Sequence, residues 1–154
     1  MPFLLSPEAK KLLRHVAKQN PQHSEMSGQE VLVTLQGPHD YISPTWYSSP
    51  GVPTWNDQAV HVYGLCSVFD DSDRLKELGD GLTSKYEAAF SEPWRPEYKP
   101  SMLGAITGIQ ISINEIQCKY KLSQNRSIQD QKQVINALEK LGASALAEAM
   151  GHNP

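Results

Sequence analysis

Three runs of residues commit this chain to a sheet. They are EVLVTLQ at 30–36, AVHVYGLCSVF at 59–69 and AITGIQISINEIQCKYKL at 105–122. Each is rich in β-branched and aliphatic residues, which suit a pleated, half-buried surface. The second and third alternate with a period of two. Val60, Val62, Gly64, Cys66 and Val68 fall on one face, with His61, Tyr63, Leu65 and Ser67 on the other. Ile109, Ile111 and Ile113 alternate against Gln110, Ser112 and Asn114. A glycine in mid-strand, Gly64, predicts a bulge or the close approach of another group.

Helical spacing appears between and after these runs. An acidic first turn followed by Leu75, Leu78, Leu82, Tyr86 and Phe90 predicts a helix over 71–90, weakened in the middle by Gly79 and Gly81. A second helix starts near Ser127, with Ile128, Val134, Ile135, Leu138 and Leu141 apolar and Gly142 as its stop. A short Ala-rich helix, Ser144 to Met150, follows, giving C-terminal helices over 127–150. Ahead of the first strand, Ala9, Leu12, Leu13, Val16 and Ala17 are spaced for a helix from Pro7 to Gln19 with Ser6 as cap. A turn and then a strand across Leu12 to Lys18 is the alternative. Residues 37–53 carry four prolines among Tyr41, Ile42, Trp46 and Tyr47, and predict an ordered loop or broken strand. Strands and helices do not alternate regularly, so the expected class is α+β, mainly β, and not a doubly wound sheet.

At 154 residues, one domain with a single core is expected. The net charge of −3, with no long run of one sign, argues against indiscriminate nucleic-acid binding through a basic surface. Cys66 and Cys118 belong to no CxxC pair and sit in apolar strand-like stretches, so both are expected to be buried, reduced thiols. No apolar stretch approaches the ~20 residues that span a bilayer. The opening residues lack a basic segment ahead of their apolar run, and a cytoplasmic location without membrane contact is expected.

Three constellations could carry chemistry. In KYKLSQNR, 119–126, Lys121 and Arg126 bring positive charge, and Ser123, Gln124 and Asn125 bring hydrogen-bonding groups, to the start of a helix. Unpaired backbone N–H groups there favour an anion. The other reading is a helix cap with Arg126 in solvent. In RHVAKQN, 14–20, His15, Lys18 and Asn20 would meet a phosphate from a strand, or decorate a solvated helix face. In the aromatic runs at 36–47 and 52–64, Trp46, Tyr47 and Trp55 could stack on a planar ring while His39 or Asn56 bonds its edge; core packing is the competing reading. No acid–base pair or activated nucleophile stands out, and no P-loop, dinucleotide-binding glycine pattern or helix-turn-helix is present.

VLVTLQGPHDYISPTWY, VPTWNDQAVHVYG and KYKLSQNR, preceded by HVAKQNPQ, together resemble the PaiB-type family of FMN-binding negative transcriptional regulators. The runs occur in the family's order from Pro2 to about Ala149. The resemblance implies a single FMN-binding split β-barrel domain over 1–154, with barrel residues 1–122 and the 71–90 helix inserted. It implies a homodimer with flavin at the subunit interface. It also implies a strand at 11–18, against the helical spacing, and a helical turn from Asn20 to Met26. Carried over by position, His15, Ala17, Lys18 and Asn20 would face the flavin's phosphate and ribityl chain. Trp55 and Asn56 match the family's TWN, and Lys121, Ser123, Gln124, Asn125 and Arg126 match its KLSQNR. Family members carry roughly fifty residues ahead of this segment, an ordinary domain increment. The expected barrel is therefore truncated at its N-terminal side. Arg14 stands in place of Gly, His23 in place of Trp and Asp57 in place of an aromatic.

The function so implied is non-covalent FMN binding with repression of transcription. The DNA contact would lie on a surface that no reading helix or basic stripe identifies. Two alternatives stand beside it: a flavin-dependent oxidoreductase on the same barrel, and a truncated relative that no longer binds flavin.

Overall fold

The computed structural model describes residues 2–152. Along the chain run β1 (Leu4–Leu5), β2 (Lys11–Ala17), α1 (Gln22–Met26), β3 (Glu30–Ile42), a 3₁₀ turn (Pro44–Trp46), β4 (Thr54–Phe69), α2 (Ser72–Glu87), α3 (Pro100–Gly104), β5 (Ile106–Lys121), α4 (Ile128–Lys140) and α5 (Ser144–Gly151). The sheet order is β1-β2-β5-β4-β3. The class is α+β, mainly β. The chain divides into two compact units. The first takes in the residues up to Leu32 together with Val62–Glu115; the second takes in Val33–His61 and the residues from Ile116 onward. The strands β3, β4 and β5 each give one segment to either unit.

In the first unit, residues 11–17 are a strand and not the helix that their spacing suggested. Ser6 is the reason. Its side-chain oxygen accepts from the backbone N–H of Lys10 and Lys11 at 3.3 and 3.1 Å, its own N–H donates to Lys11 O, and Ala9 takes a left-handed φ of 54°. The residue read as a helix cap closes a hairpin turn instead. β2 then pairs antiparallel with β5 in an unbroken register from Lys11↔Ser112 to Ala17↔Ile106. A short amphipathic segment is a marginal helix alone, and a ladder along its full length outweighs propensity. Leu12 and Val16 are buried.

Gly64 behaves as its place in the strand suggested. A Cβ there would lie 2.3 Å from the carbonyl oxygen of Ser112, so only glycine lets β4 and β5 approach this closely. Its neighbours Val62 and Cys66 are buried while Leu65 is exposed. α2 begins with Asp71, whose carboxylate accepts from Arg74 N at 2.9 Å, and it buries Leu75, Leu78 and Leu82. The helix ends at Glu87, short of the expected 90, and Tyr86 and Phe90 are exposed. The short α3, Pro100–Gly104, leads into β5.

In the second unit β3 runs through Gly37-Pro38 to Ile42, beyond the expected end at 36. It stands at the end of the strand order, where a proline's missing donor is tolerated. α4 starts as read, with the Ser127 hydroxyl accepting from Asp130 N at 3.1 Å, and Gly142 follows its end at φ 81°. Ile42, Leu122, Val134, Leu138, Leu146, Ala147 and Met150 form the core, with Trp46 and Tyr47 packed against it. Core packing is thus the role of these two rings. Cys66 is buried, and burial pushes its thiol pKa up. Cys118 is exposed, which corrects its reading as a core thiol: the part of β5 from Asn114 to Lys121 buries none of its residues.

Candidate functional site

The residues singled out from the sequence fall into two sets, one in each unit. The first set is built at the end of β2. Its backbone turns sharply there: Asn20 N donates to Ala17 O, and the Asn20 side chain accepts from Gln22 N at 3.0 Å, opening α1. His23 Nε2 donates to Lys18 O at 3.1 Å. Asn20 and His23 therefore shape the turn that presents Lys18. The Lys18 ammonium lies 3.5 Å from Asp70 Oδ1 and is partly exposed. Asp70 is itself held by the hydroxyl of buried Thr107, which donates at 2.8 Å. An exposed pair of this kind contributes little to stability. What it fixes is direction, because the ammonium is tethered at the mouth of the turn. Ala17 is exposed beside it.

His15 differs from its neighbours on the strand. It pairs across from Gly108 on β5, and its ring is half-buried. Its Nδ1 is buried without a hydrogen-bond partner among the described residues. Burial, and then the charge of Arg14, lower its pKa, so the ring is neutral. The Arg14 guanidinium lies 5.1 Å above the Phe3 ring, and burial lowers its pKa as well.

The second set is tied up internally. Asn56 is fully buried and donates to Ser123 Oγ at 2.9 Å and towards Met150 Sδ at 3.4 Å. Ser123 is also buried and takes a left-handed φ of 63°. Gln124 accepts from Leu122 N and donates to Tyr120 O, both at 2.7 Å. Arg126 stacks its guanidinium 4.1 Å over the Tyr47 ring. Lys121 is exposed and donates to Thr54 Oγ1. Asn125 is exposed. Trp55 is 48% exposed, its ring stacked on His39 at 6.1 Å and 29°.

Asp130 was missed from the sequence. An acid in the first turn of a helix looks ordinary. Here the buried carboxylate accepts from Ser48 N at 2.7 Å and from Ser49 Oγ at 3.4 Å, which fastens the proline-rich 44–51 segment to α4. These bonds hold its pKa below the usual 3.8. Asp70 and Thr107 were also missed, since nothing in their spacing marks them. Among the described residues no cluster of His, Cys, Asp or Glu could hold a metal, and no helix is long and apolar enough to cross a membrane.

The five-stranded sheet with its helices is a fold shared with solved structures. Solved structures of the same fold include the flavocytochrome Anf3 of Azotobacter vinelandii, at TM-score 0.53 and 18% identity over 84% of this chain and 58% of that one. Another is the FAD and heme binding protein of Mycobacterium smegmatis, at TM-score 0.54 and 15% identity over 84% and 62%. Residues 1–115 match the family described as "Putative FMN-binding domain". The chain is 43% identical over 145 residues to "Protease synthase and sporulation protein PAI 2" of Bacillus subtilis (strain 168), covering 88% of this chain and 70% of that protein. It is 32% identical to the protein AN0679 of Emericella nidulans, over 91% of this chain and 65% of the relative. This chain belongs to the PaiB-type FMN-binding domain family, whose cofactor is FMN. It spans about two thirds of the length of the relatives it matches.

Proposed function

We propose that this chain is an FMN-binding negative regulator of transcription that holds its flavin non-covalently and acts as a homodimer with flavin at the subunit interface. The observation that carries the reading is Lys18: a family match covers it, and the fold presents its ammonium on a turn shaped by Asn20 and His23. The set fits a phosphate. The ammonium is reachable, its carboxylate partner is exposed, and an incoming dianion competes with Asp70 for it. FMN supplies a phosphate to be held and a redox-active ring whose state a regulator can report.

In this reading Lys18 binds the phosphate and Asn20 holds the turn. His15, neutral and half-buried, is not the charge partner. In the second unit Asn56, Ser123 and Gln124 serve the fold, and Trp55, Lys121, Asn125 and Arg126 are the side chains assigned to ligand contact. Trp55 and Lys121 are assigned because they are exposed, and Arg126 because its guanidinium is held over the Tyr47 ring.

Titration with FMN, followed by flavin fluorescence and melting temperature, tests the first half. At a hundredfold excess over Kd the ligand should stabilise the protein by ~2.7 kcal/mol. Lys18→Ala should weaken FMN by about tenfold or more, the loss of one charge-assisted contact. No stabilisation by FMN would sink the proposal. A mobility shift on promoter DNA tests the second half. Bleaching of the bound flavin by NAD(P)H without any DNA shift would replace the regulator with an oxidoreductase.

A further inference from the structure

The first unit contains an apolar cleft of about 300 Å³ whose lining, His15 apart, the flavin reading leaves unassigned. Leu75 and Leu82 of α2 form one wall, and Met102, Leu103 and Ile106 form another. Among the described residues no Asp, Glu, Lys or Arg lines it. Its polar lining comes from His15, Thr83 and Tyr98, and a cleft that is otherwise apolar with a few polar groups suits a guest that is mostly ring with one hydrogen-bonding substituent.

The rim is aromatic. Trp94 is 57% exposed, a large ring left in water at the cleft's edge. Its backbone N–H is anchored by the Glu87 carboxylate at 2.7 Å, which holds the 91–99 segment along α2. Tyr98 sits against Gly79, where a Cβ would strike its hydroxyl at 2.6 Å. Met102 is also half in water. A polarizable thioether and two rings suit a flat aromatic guest. The volume lies at the small end of ligand sites.

We propose that this cleft binds a neutral, planar aromatic molecule of one or two fused rings carrying one hydrogen-bonding substituent. The rings lie between α2 and α3 under Trp94, and the substituent meets the His15 imidazole. Neutrality follows from the uncharged lining, and burial keeps the imidazole itself uncharged. The proposal does not depend on the assignment of Lys18 to FMN.

The test uses the purified full chain and 2-naphthol as probe, with 2-fluoronaphthalene as the matched ring that lacks the donor. Binding is read by calorimetry and by ligand-observed NMR. Wild type should bind one naphthol per chain saturably. His15→Phe should weaken naphthol roughly fivefold, the loss of one buried hydrogen bond, and leave 2-fluoronaphthalene unchanged. Leu82→Trp fills the cleft and should weaken both probes by about tenfold or more. Should that variant fail to fold by circular dichroism, Thr83→Phe blocks the same space from a half-buried position. Absence of saturable binding, equal binding by the filled variant, or displacement of naphthol by FMN each overturns the proposal. The last result would give the cleft to the flavin itself.

Discussion

The polar candidate residues of the two units are used differently. In the second, Asn56 and Ser123 are buried against each other, Gln124 bonds two backbone groups beside it, and Asp130 fastens the 44–51 segment. In the first, Lys18 reaches the exposed Asp70 carboxylate, and His15 Nδ1 is buried without a partner among the described residues. Both sets looked alike as sequence: short polar runs with one or two cations. The difference shows that residue type names a candidate and hydrogen-bond bookkeeping decides its job. A buried polar group that finds its partners in the fold stiffens the fold, and an exposed cation is reachable by a ligand.

The contrast can be broken most directly through the cores. Leu138→Ala removes a fully buried side chain from the second unit and should cost about 2–5 kcal/mol. Hydrogen exchange should show amide protection in α4 and α5 falling first. Uniform loss across both units would mean that they unfold as one. Next, Gly64→Ala in the first unit sets a methyl against the Ser112 carbonyl and should cost about 1–3 kcal/mol as overpacking. A denaturant midpoint equal to wild type would show that the strands separate freely there.

The third comparison pairs two polar substitutions. Asn56→Ala leaves Ser123 without its partner and should cost about 1–3 kcal/mol. Lys18→Ala should change stability by less than about 0.5 kcal/mol, since its pair is exposed, while FMN affinity drops. Chemical denaturation and flavin titration on the same two variants separate the roles. If Asn56→Ala is neutral to stability and lowers FMN affinity, the assignment of the second unit's amides to the fold is wrong.

The smallest expected effect is in acid. His15 has a folded pKa below its usual 6.5, so the unfolded chain binds the extra proton first. Its contribution is complete above pH 6.5 and is lost as pH falls through the folded value. Asp130 has a folded pKa below 3.8, and its contribution persists down to that pH and is lost only below it. Hydrogen exchange across pH 7 to 3 should therefore show the first unit loosening before the second, and His15→Phe should remove the early phase.

Much of the fold was legible. The strands at 59–69 and 105–122, the helix starting at Ser127 and the close approach at Gly64 follow from alternation, capping and the missing side chain, which are local properties. The strand at 11–17 was not legible from periodicity, because Leu12, Leu13 and Val16 fit either period. Family likeness gave it where spacing did not. Cys118 was misjudged because strand character and burial are separate quantities: β5 keeps its conformation where its side chains face water. The site was less legible than the fold. Lys18 and Asn20 were named, but Asp70, Thr107 and Asp130 were not, since their partners are 37 to 82 residues away.

The sequence by itself determined the period of β4 and β5, the caps of α2 and α4 and the family, because these depend on neighbours a few residues apart or on whole-run likeness. Tertiary structure decided which amides and carboxylates are occupied and which cation stands open. It also decided that the Ser6 hydroxyl closes a hairpin. Those outcomes depend on which donors and acceptors the pairing of distant segments leaves within bonding distance, and no local pattern encodes that pairing.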